Sequence, residues 1–334
     1  MKQTKIFIGP MSKNIVDTVI KYSNEYNIKL GLIASRRQIE NTGGYVNNWT
    51  TKDFCEYVRN KSKNVILVRD HAGPNQGDIF EDGIESFKED CKPNMFDVIH
   101  VDVWKKYNDY EDGLKATIEF INLGYNINPN VCYEVGTEEA IRATTPEELN
   151  QLLSDLKKIL NHDVYSKIKY AVIQSGTALS GNKNTGQFNQ NRLKKMIDVV
   201  NNYSLISKEH NGDYITDELL RLKFNNGLDS INIAPEFGQI ETKIILQEIK
   251  ENFTELYDEF YNICLESKKW VKWVDKNFNP NKNKDELINI SGHYVLSNPK
   301  FVELKCKLSK NIDDLIKLEI EKKIQNLINL SNNE

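Results

Sequence analysis

The chain has 334 residues, of which 39% are hydrophobic and 28% charged, with a formal net charge of -4. That balance suits a globular protein with an ample core and supplies no broad basic field, so no nucleic-acid partner is expected. No apolar run reaches the roughly 18 residues that span a bilayer, and MKQTKIFIGP is too short in apolar length for a signal peptide. The expectation is a cytoplasmic protein with no membrane partner.

Apolar periodicity in chain order gives eight short β-rich runs, at residues 5–9, 28–35, 64–70, 96–102, 130–136, 168–175, 203–210 and 229–235. Every interval between them is long enough for a crossover helix of ten or more residues. Eight βα units in succession predict the α/β class and a closed (β/α)8 TIM barrel. Thr50-Thr51-Lys52-Asp53 and Thr144-Thr145-Pro146-Glu147-Glu148 read as helix N-caps with acidic first turns. The barrel is expected over residues 1–268, its last part a long helical pattern from Ile240 to Lys268. Residues 269–334 follow as a C-terminal helical extension, reached through the polar stretch 277–283. Its final stretch, Asp313 to Leu330, carries apolar residues at helical spacing and is expected to dock on the barrel. The five cysteines lie far apart with no C-x-x-C pair, which points to reduced, structural thiols.

In such a barrel the reactive groups sit at the carboxyl ends of the strands. Those ends carry Arg36-Arg37, Asp70-His71 with Asn75 just beyond, His100 and Asp102, Glu134 and Glu138, Gln174-Ser175, Lys208 and His210, and Glu236. Three of the five histidines fall at these positions. Side chains two apart on a strand share a face, so imidazoles and carboxylates from several strands converge if that face is the lumen. Imidazole with carboxylate suits a divalent metal, Zn²⁺ first, with Mn²⁺, Co²⁺, Ni²⁺ or Mg²⁺ as alternatives. Arg36 and Arg37 fit a clamp for phosphate or carboxylate. Gly43-Gly44-Tyr45 offers a flexible loop over the same mouth, and Ser175-Gly176-Thr177 has the composition of an anion nest. Gln174, Asn75, Lys208 and Glu236 complete the expected substrate contacts. No Walker A, G-x-G-x-x-G, H-E-x-x-H or G-x-S-x-G sequence occurs, which removes the usual support for phosphoryl transfer, dinucleotide redox, zincin and serine-hydrolase chemistry.

The stretch IASRRQIENTGGYVNNWTTKDFCEYVR, followed by VILVRDHAGPNQG, resembles the tagatose-bisphosphate aldolase subunit family of the GatZ/KbaZ type. IHVD, EVGTE, VIQSG and the His-x-x-Asp at His210 to Asp213 extend the resemblance over roughly residues 28–240. The resemblance implies a barrel related to metal-dependent class II aldolases and acting on ketose phosphates. Asp70 would be an acid/base residue beside metal ligand His71, with Glu138 and His210 as further ligands and Asp102 in the matched region. Family members serve as sugar 4-epimerases or as non-catalytic partners of a class II aldolase, so both an enzyme and an accessory-subunit role are open. Arg36-Arg37 stand where the family has small polar residues, and Ala234-Pro235-Glu236-Phe237-Gly238 replaces a more apolar segment. These departures imply a small, strongly anionic sugar substrate other than tagatose 6-phosphate. A homo-oligomer is a further expectation.

Overall fold

A computed structural model describes residues 4–78 and 81–332; residues 1–3 and 333–334, at the ends of the two expected segments, lie outside it. Eight parallel strands close into a barrel: β1 (Ile6–Ile8), β2 (Leu30–Ser35), β3 (Val65–Ala72), β4 (Val98–Val101), β5 (Cys132–Val135), β6 (Ile168–Ile173), β9 (Ile206–Glu209) and β10 (Ser230–Ile233). β1 closes the ring by pairing with β10, Ile6 opposite Ile231. Between β6 and β9 a two-stranded antiparallel hairpin, β7 (Leu179–Ser180) and β8 (Lys183–Asn184), stands apart from the barrel sheet. All eight expected strands are present; β3 runs one residue longer than expected and the other seven are two to four residues shorter, as strand ends fray where ladder partners run out.

Closure decides which face each residue takes. Phe7, Ile33, Val68, Val98 and Tyr170 form a separate apolar cluster, with the Lys208 ammonium 3.9 Å from the Phe7 ring centroid and 5.2 Å from that of Tyr170. A Cβ on Gly31 would lie 2.0 Å from the Phe7 ring, so a glycine there lets the ring fill the lumen. The opposite face of the strands meets the helices, and there Arg69 is fully buried. Its Nε donates to Asp90 Oδ2 at 2.7 Å and its Nη1 to the carbonyls of Ala34 and Ile39 at 3.0 and 2.8 Å. This pair ties the end of β2 and the loop after it to the helix Ile84–Cys91.

Both expected N-caps form. Thr50 and Asp53 make a reciprocal capping box, and Thr145 accepts from the Glu148 amide with Pro146 in the first turn. The helical pattern from Ile240 to Lys268 is not one helix: Pro235–Asn252 ends at Phe253, and Tyr257–Ser267 follows after a 3-10 turn. Asn252 and the β-branched Thr254 are weak helix formers at the break. The last helix, Ile312–Ser331, buries Ile312, Ile316, Ile320, Ile324 and Leu327 against the helices Lys13–Glu25, Pro235–Asn252 and Asp217–Asn225. Leu315 and Leu318 stay on its exposed side. The main core therefore runs without interruption from Ile6 to Leu330.

Candidate metal centre and active site

β3 does not end as a regular strand. Its register with β4 shifts between Arg69 and Ala72, and His71 takes a left-handed backbone conformation with φ of 47°. A regular strand would send Arg69 and His71 to one face and Asp70 to the other. The bulge instead leaves Arg69 outward among the helices and brings both Asp70 and His71 to the mouth. A non-glycine residue held at positive φ is costly and persists where its surroundings over-determine it.

Three imidazoles converge on Asp70. The ligand atoms of Asp70, His71, His100 and His210 all lie within 4.8 Å of one another. His71 Nε2 is 3.6 Å from Asp70 Oδ2, while His100 Nδ1 and His210 Nδ1 stand 3.5 and 3.6 Å from Asp70 Oδ1. Asp70 Oδ1 is buried and makes no hydrogen bond. Each ring is held from behind. His71 Nδ1 meets Asp102 Oδ2 at 2.6 Å, His100 Nε2 meets the Gly136 carbonyl at 3.0 Å, and His210 Nε2 meets Glu134 Oε1 at 2.7 Å. Glu134 is fixed in turn by the Lys208 ammonium at 2.6 Å. Outer nitrogens tied to carboxylate or carbonyl, with the other nitrogens turned to a common point, are the arrangement of metal-binding histidines. Glu138 stands beside them, its Oε2 3.6 Å from His71 Nε2 and 3.9 Å from His210 Nδ1, and accepts from Asn211 Nδ2 at 2.8 Å.

The electrostatics agree with the geometry. Burial alone would raise the Asp70 carboxyl, but the charge of His71 and the neighbouring histidines pulls it far below the ordinary range. Burial opposes protonation of His71, yet Asp70 and Glu138 raise it well above the usual imidazole value, and Glu134 and Asp70 raise His100. The residues thus fit a divalent metal: three inward imidazole nitrogens, of which His100 Nδ1 is also 3.4 Å from the His71 amide, one carboxylate oxygen without a partner, and Glu138 within reach.

A cavity of about 210 Å³ opens on this cluster, lined by Asp70, His71, Glu138 and His210, by Arg37, Tyr45, Lys272, Trp273 and Tyr294, and by Asn211, Asp213 and Asn232. Asp213 is buried, and its Oδ1 accepts from the amides of Ala234 and Glu236 at 2.9 and 2.8 Å, which caps the helix Pro235–Asn252. Burial, then the charge of Glu236, pushes its carboxyl up to about 7 against those two bonds. Neither side-chain polar atom of Asn232 has a hydrogen-bond partner among the described residues.

Several expected contacts lie elsewhere. Of the adjacent arginines only Arg37 reaches the cavity. Arg36 is buried, donates to Glu40 and Ser86 at 2.7 and 2.8 Å, and pairs with Glu81, because the turn after β2 sends successive side chains to opposite sides. Asp102 does not reach the cavity; it orients His71 from behind. Lys208 lies beneath the histidines, saturated by Glu134 and two rings. Gln174 faces the helices, bonding the carbonyls of Thr137 and Arg142 and the Arg192 guanidinium. Ser175 belongs to a buried triad with Glu209 and Lys223, at 2.5 and 2.6 Å, rather than to an anion nest. Glu236 accepts from the Tyr214 amide and pairs with Lys323 of the last helix. Asn75 shapes a turn with φ of 61°, its amide bonded to the Glu81 carbonyl. Gly44 allows close backbone approach: a Cβ there would come 2.1 Å from the Gln38 carbonyl oxygen. His100 is one of the three strand-end histidines whose coincidence points to a metal, though the family resemblance gives it no role of its own. Asp213, Asn232 and Lys272 had no signal beyond Asp213's place in the His-x-x-Asp.

The fold and site together define a closed (β/α)8 barrel with a histidine and carboxylate cluster at the carboxyl ends of its strands. Among solved structures, the chain is similar to a probable tagatose 6 phosphate kinase from Sinorhizobium meliloti, with a TM-score of 0.76 and 13% identity over 98% of this chain and 100% of that one. It is similar to the fructuronate-tagaturonate epimerase UxaE from Cohnella laeviribosi, with a TM-score of 0.69 and 12% identity over 99% and 82% of the two chains. The YdjI aldolase from Escherichia coli also shares the fold, with a TM-score of 0.54 and 13% identity over 91% and 90%. No family model and no curated protein matches the chain in sequence. At these identities the likeness is one of fold, and it agrees with the resemblance carried by the strand-end motifs.

Proposed function

We propose that this chain is a metal-dependent carbohydrate epimerase or aldolase that acts on an anionic ketose by retro-aldol and aldol chemistry. The observation that carries the reading is the convergence of His71, His100 and His210 on the unpartnered oxygen of Asp70, each ring fixed by its outer nitrogen. The aldolase and the epimerase among the structures of similar fold support the same kind of chemistry. His71, His100, His210 and Asp70 would hold the cation, with Glu138 as a further ligand, and Zn²⁺ is the first candidate. Bound there, it supplies Lewis-acid polarisation of a ketose carbonyl.

The chain's own residues do the rest. Retro-aldol cleavage takes the proton from the hydroxyl beside the breaking carbon–carbon bond, turns that carbon into an aldehyde and leaves the electron pair on the ketose fragment. Whichever of Asp70 and Glu138 the cation leaves unligated accepts that proton. Asn232 offers its free amide to a substrate hydroxyl. Asp213, poised at about 7, holds or returns a proton across the cavity. If the aldehyde turns over and recombines, the carbinol centre is inverted; if it leaves, the fragment is protonated and the outcome is cleavage. Tyr45, Trp273 and Tyr294 supply the aromatic part of the cavity wall.

The test is to incubate the purified chain and each divalent metal with a panel of ketose phosphates and ketoaldonic acids, with elemental analysis of the protein in parallel. Epimer or aldehyde formation that is lost in His71→Ala and His210→Ala is expected. No turnover together with no bound metal would overturn the reading and leave the accessory-subunit role.

A further inference from the structure

The cavity has two ends of opposite character. One is the cluster of histidines and carboxylates. The other is cationic and is built from two parts of the chain: Arg37 follows β2, and Lys272 comes from the 3-10 turn Val271–Trp273, beyond the eight βα units. Lys105 and Lys269 are close enough to act on these charges. Against the four cations stands Asp78, 3.1 Å from Arg37 and 3.3 Å from Lys269. Among the described residues no carboxylate comes within ion-pair distance of Lys272. Its ammonium instead lies 4.4 Å from the Trp273 ring and 5.3 Å from that of Tyr294, which hold it at the cavity wall. Desolvation, then the like charges of Arg37 and Lys269, lowers it to about 8.

We infer that Arg37 and Lys272 form a subsite for the terminal oxyanion of the substrate, a phosphate monoester or a carboxylate, at the end of the sugar remote from the histidine cluster. The inference rests on the proposed ketose chemistry and deepens it. A planar guanidinium fork and a compact ammonium facing one cavity suit an oxyanion, and the nearby Asp78, paired with Arg37 and Lys269, leaves a net positive charge there. The segment after residue 268 is then part of the active site, because it supplies one of the two cations. Such contacts act on bound substrate and transition state alike, so they set KM more than kcat.

The test compares Lys272→Gln and Arg37→Gln with the parent chain on ketose phosphates, ketoaldonic acids and uncharged ketoses. Lys272 is exposed and Arg37 partly so, so the variants are expected to fold. For the anionic class that is the substrate, each variant raises KM about tenfold or more, the loss of a charge-assisted hydrogen bond, with kcat within about twofold. The class affected tells phosphate from carboxylate. Calorimetric titration of the metal-free protein with inorganic phosphate and with acetate gives a readout independent of turnover: the preferred anion binds, and binding weakens about tenfold in Lys272→Gln. Unchanged KM for anionic substrates, or an equal rise for uncharged ones, overturns the subsite while leaving the chemistry in place. Anion binding sensitive to Lys272 in a protein that turns over no ketose removes the chemistry and leaves the subsite.

Discussion

At the residue scale, the site depends on groups that never touch a ligand. Asp102 is fully buried, and its oxygen 2.6 Å from His71 Nδ1 sets which nitrogen of that ring faces the cluster. Replacing it by Asn keeps the size but removes the charge and leaves the outer nitrogen with a weaker partner. Asp102→Asn is expected to lower metal affinity by about 10- to 100-fold, measured by competition with a chelator, with little change in secondary structure. An affinity within about twofold of the parent would mean that His71 is not a ligand. The motif that carries Asp70 and His71 was legible in sequence, and so was the conflict between them: adjacent strand residues point to opposite faces. The bulge and the positive φ of His71 resolve it, and neither leaves a mark in sequence beyond Gly73-Pro74 just after. Arg36 and Arg37 show the reverse. Their chemistry was legible, but one of two equivalent neighbours turned inward to structure, and only the path of the loop separates them.

At the element scale, the strand ends are held in place by buried ion pairs on the outer face of the sheet. Arg69 satisfies Asp90, Thr51 and two carbonyls, and Lys223 satisfies Glu209 and Ser175, all without solvent. A buried pair adds little stability relative to a well-packed apolar one, but removing one partner strands the other charge. Asp90→Ala is therefore expected to destabilise the fold by about 3–5 kcal/mol, read from urea unfolding, and to loosen the loop that carries Arg37. A loss below about 1 kcal/mol would show that water reaches Arg69. These pairs also explain why Gln174 and Ser175 misled: at the end of β6 a polar side chain serves the helix layer or the mouth, and composition is the same for both.

At the scale of the whole molecule, the cluster makes stability depend on pH and on metal together. The folded values of His71 and His100 are raised above the ordinary 6.5. Their contribution is thus full below that value and lost as pH climbs through the raised ones, when carboxylates and neutral imidazoles are left without a cation. The depressed carboxyls of Asp70, Asp102, Glu134 and Glu138 act at the acid end, where their contribution fades as pH falls below their unfolded values. The Tm of metal-free protein is expected to fall as pH rises from 6 to 9, and added Zn²⁺ or Mn²⁺ to raise it most at the upper end, where no proton competes. A Tm that is flat with pH and indifferent to metal would argue for a structural polar cluster.

The sequence by itself determined a parallel sheet of eight βα units and pointed to a barrel, because apolar runs spaced by amphipathic stretches must bury both strand faces, and that rule is local and periodic. It also determined which strand ends carry imidazole and carboxylate. Only the tertiary structure decided which of these groups meet. Barrel closure selects the lumen face, a single bulge at β3 moves Asp70 and His71 to the same point, and the chain beyond the last βα unit folds back to set Lys272 opposite Arg37. Those choices depend on contacts between residues far apart in the chain, where no periodicity records them.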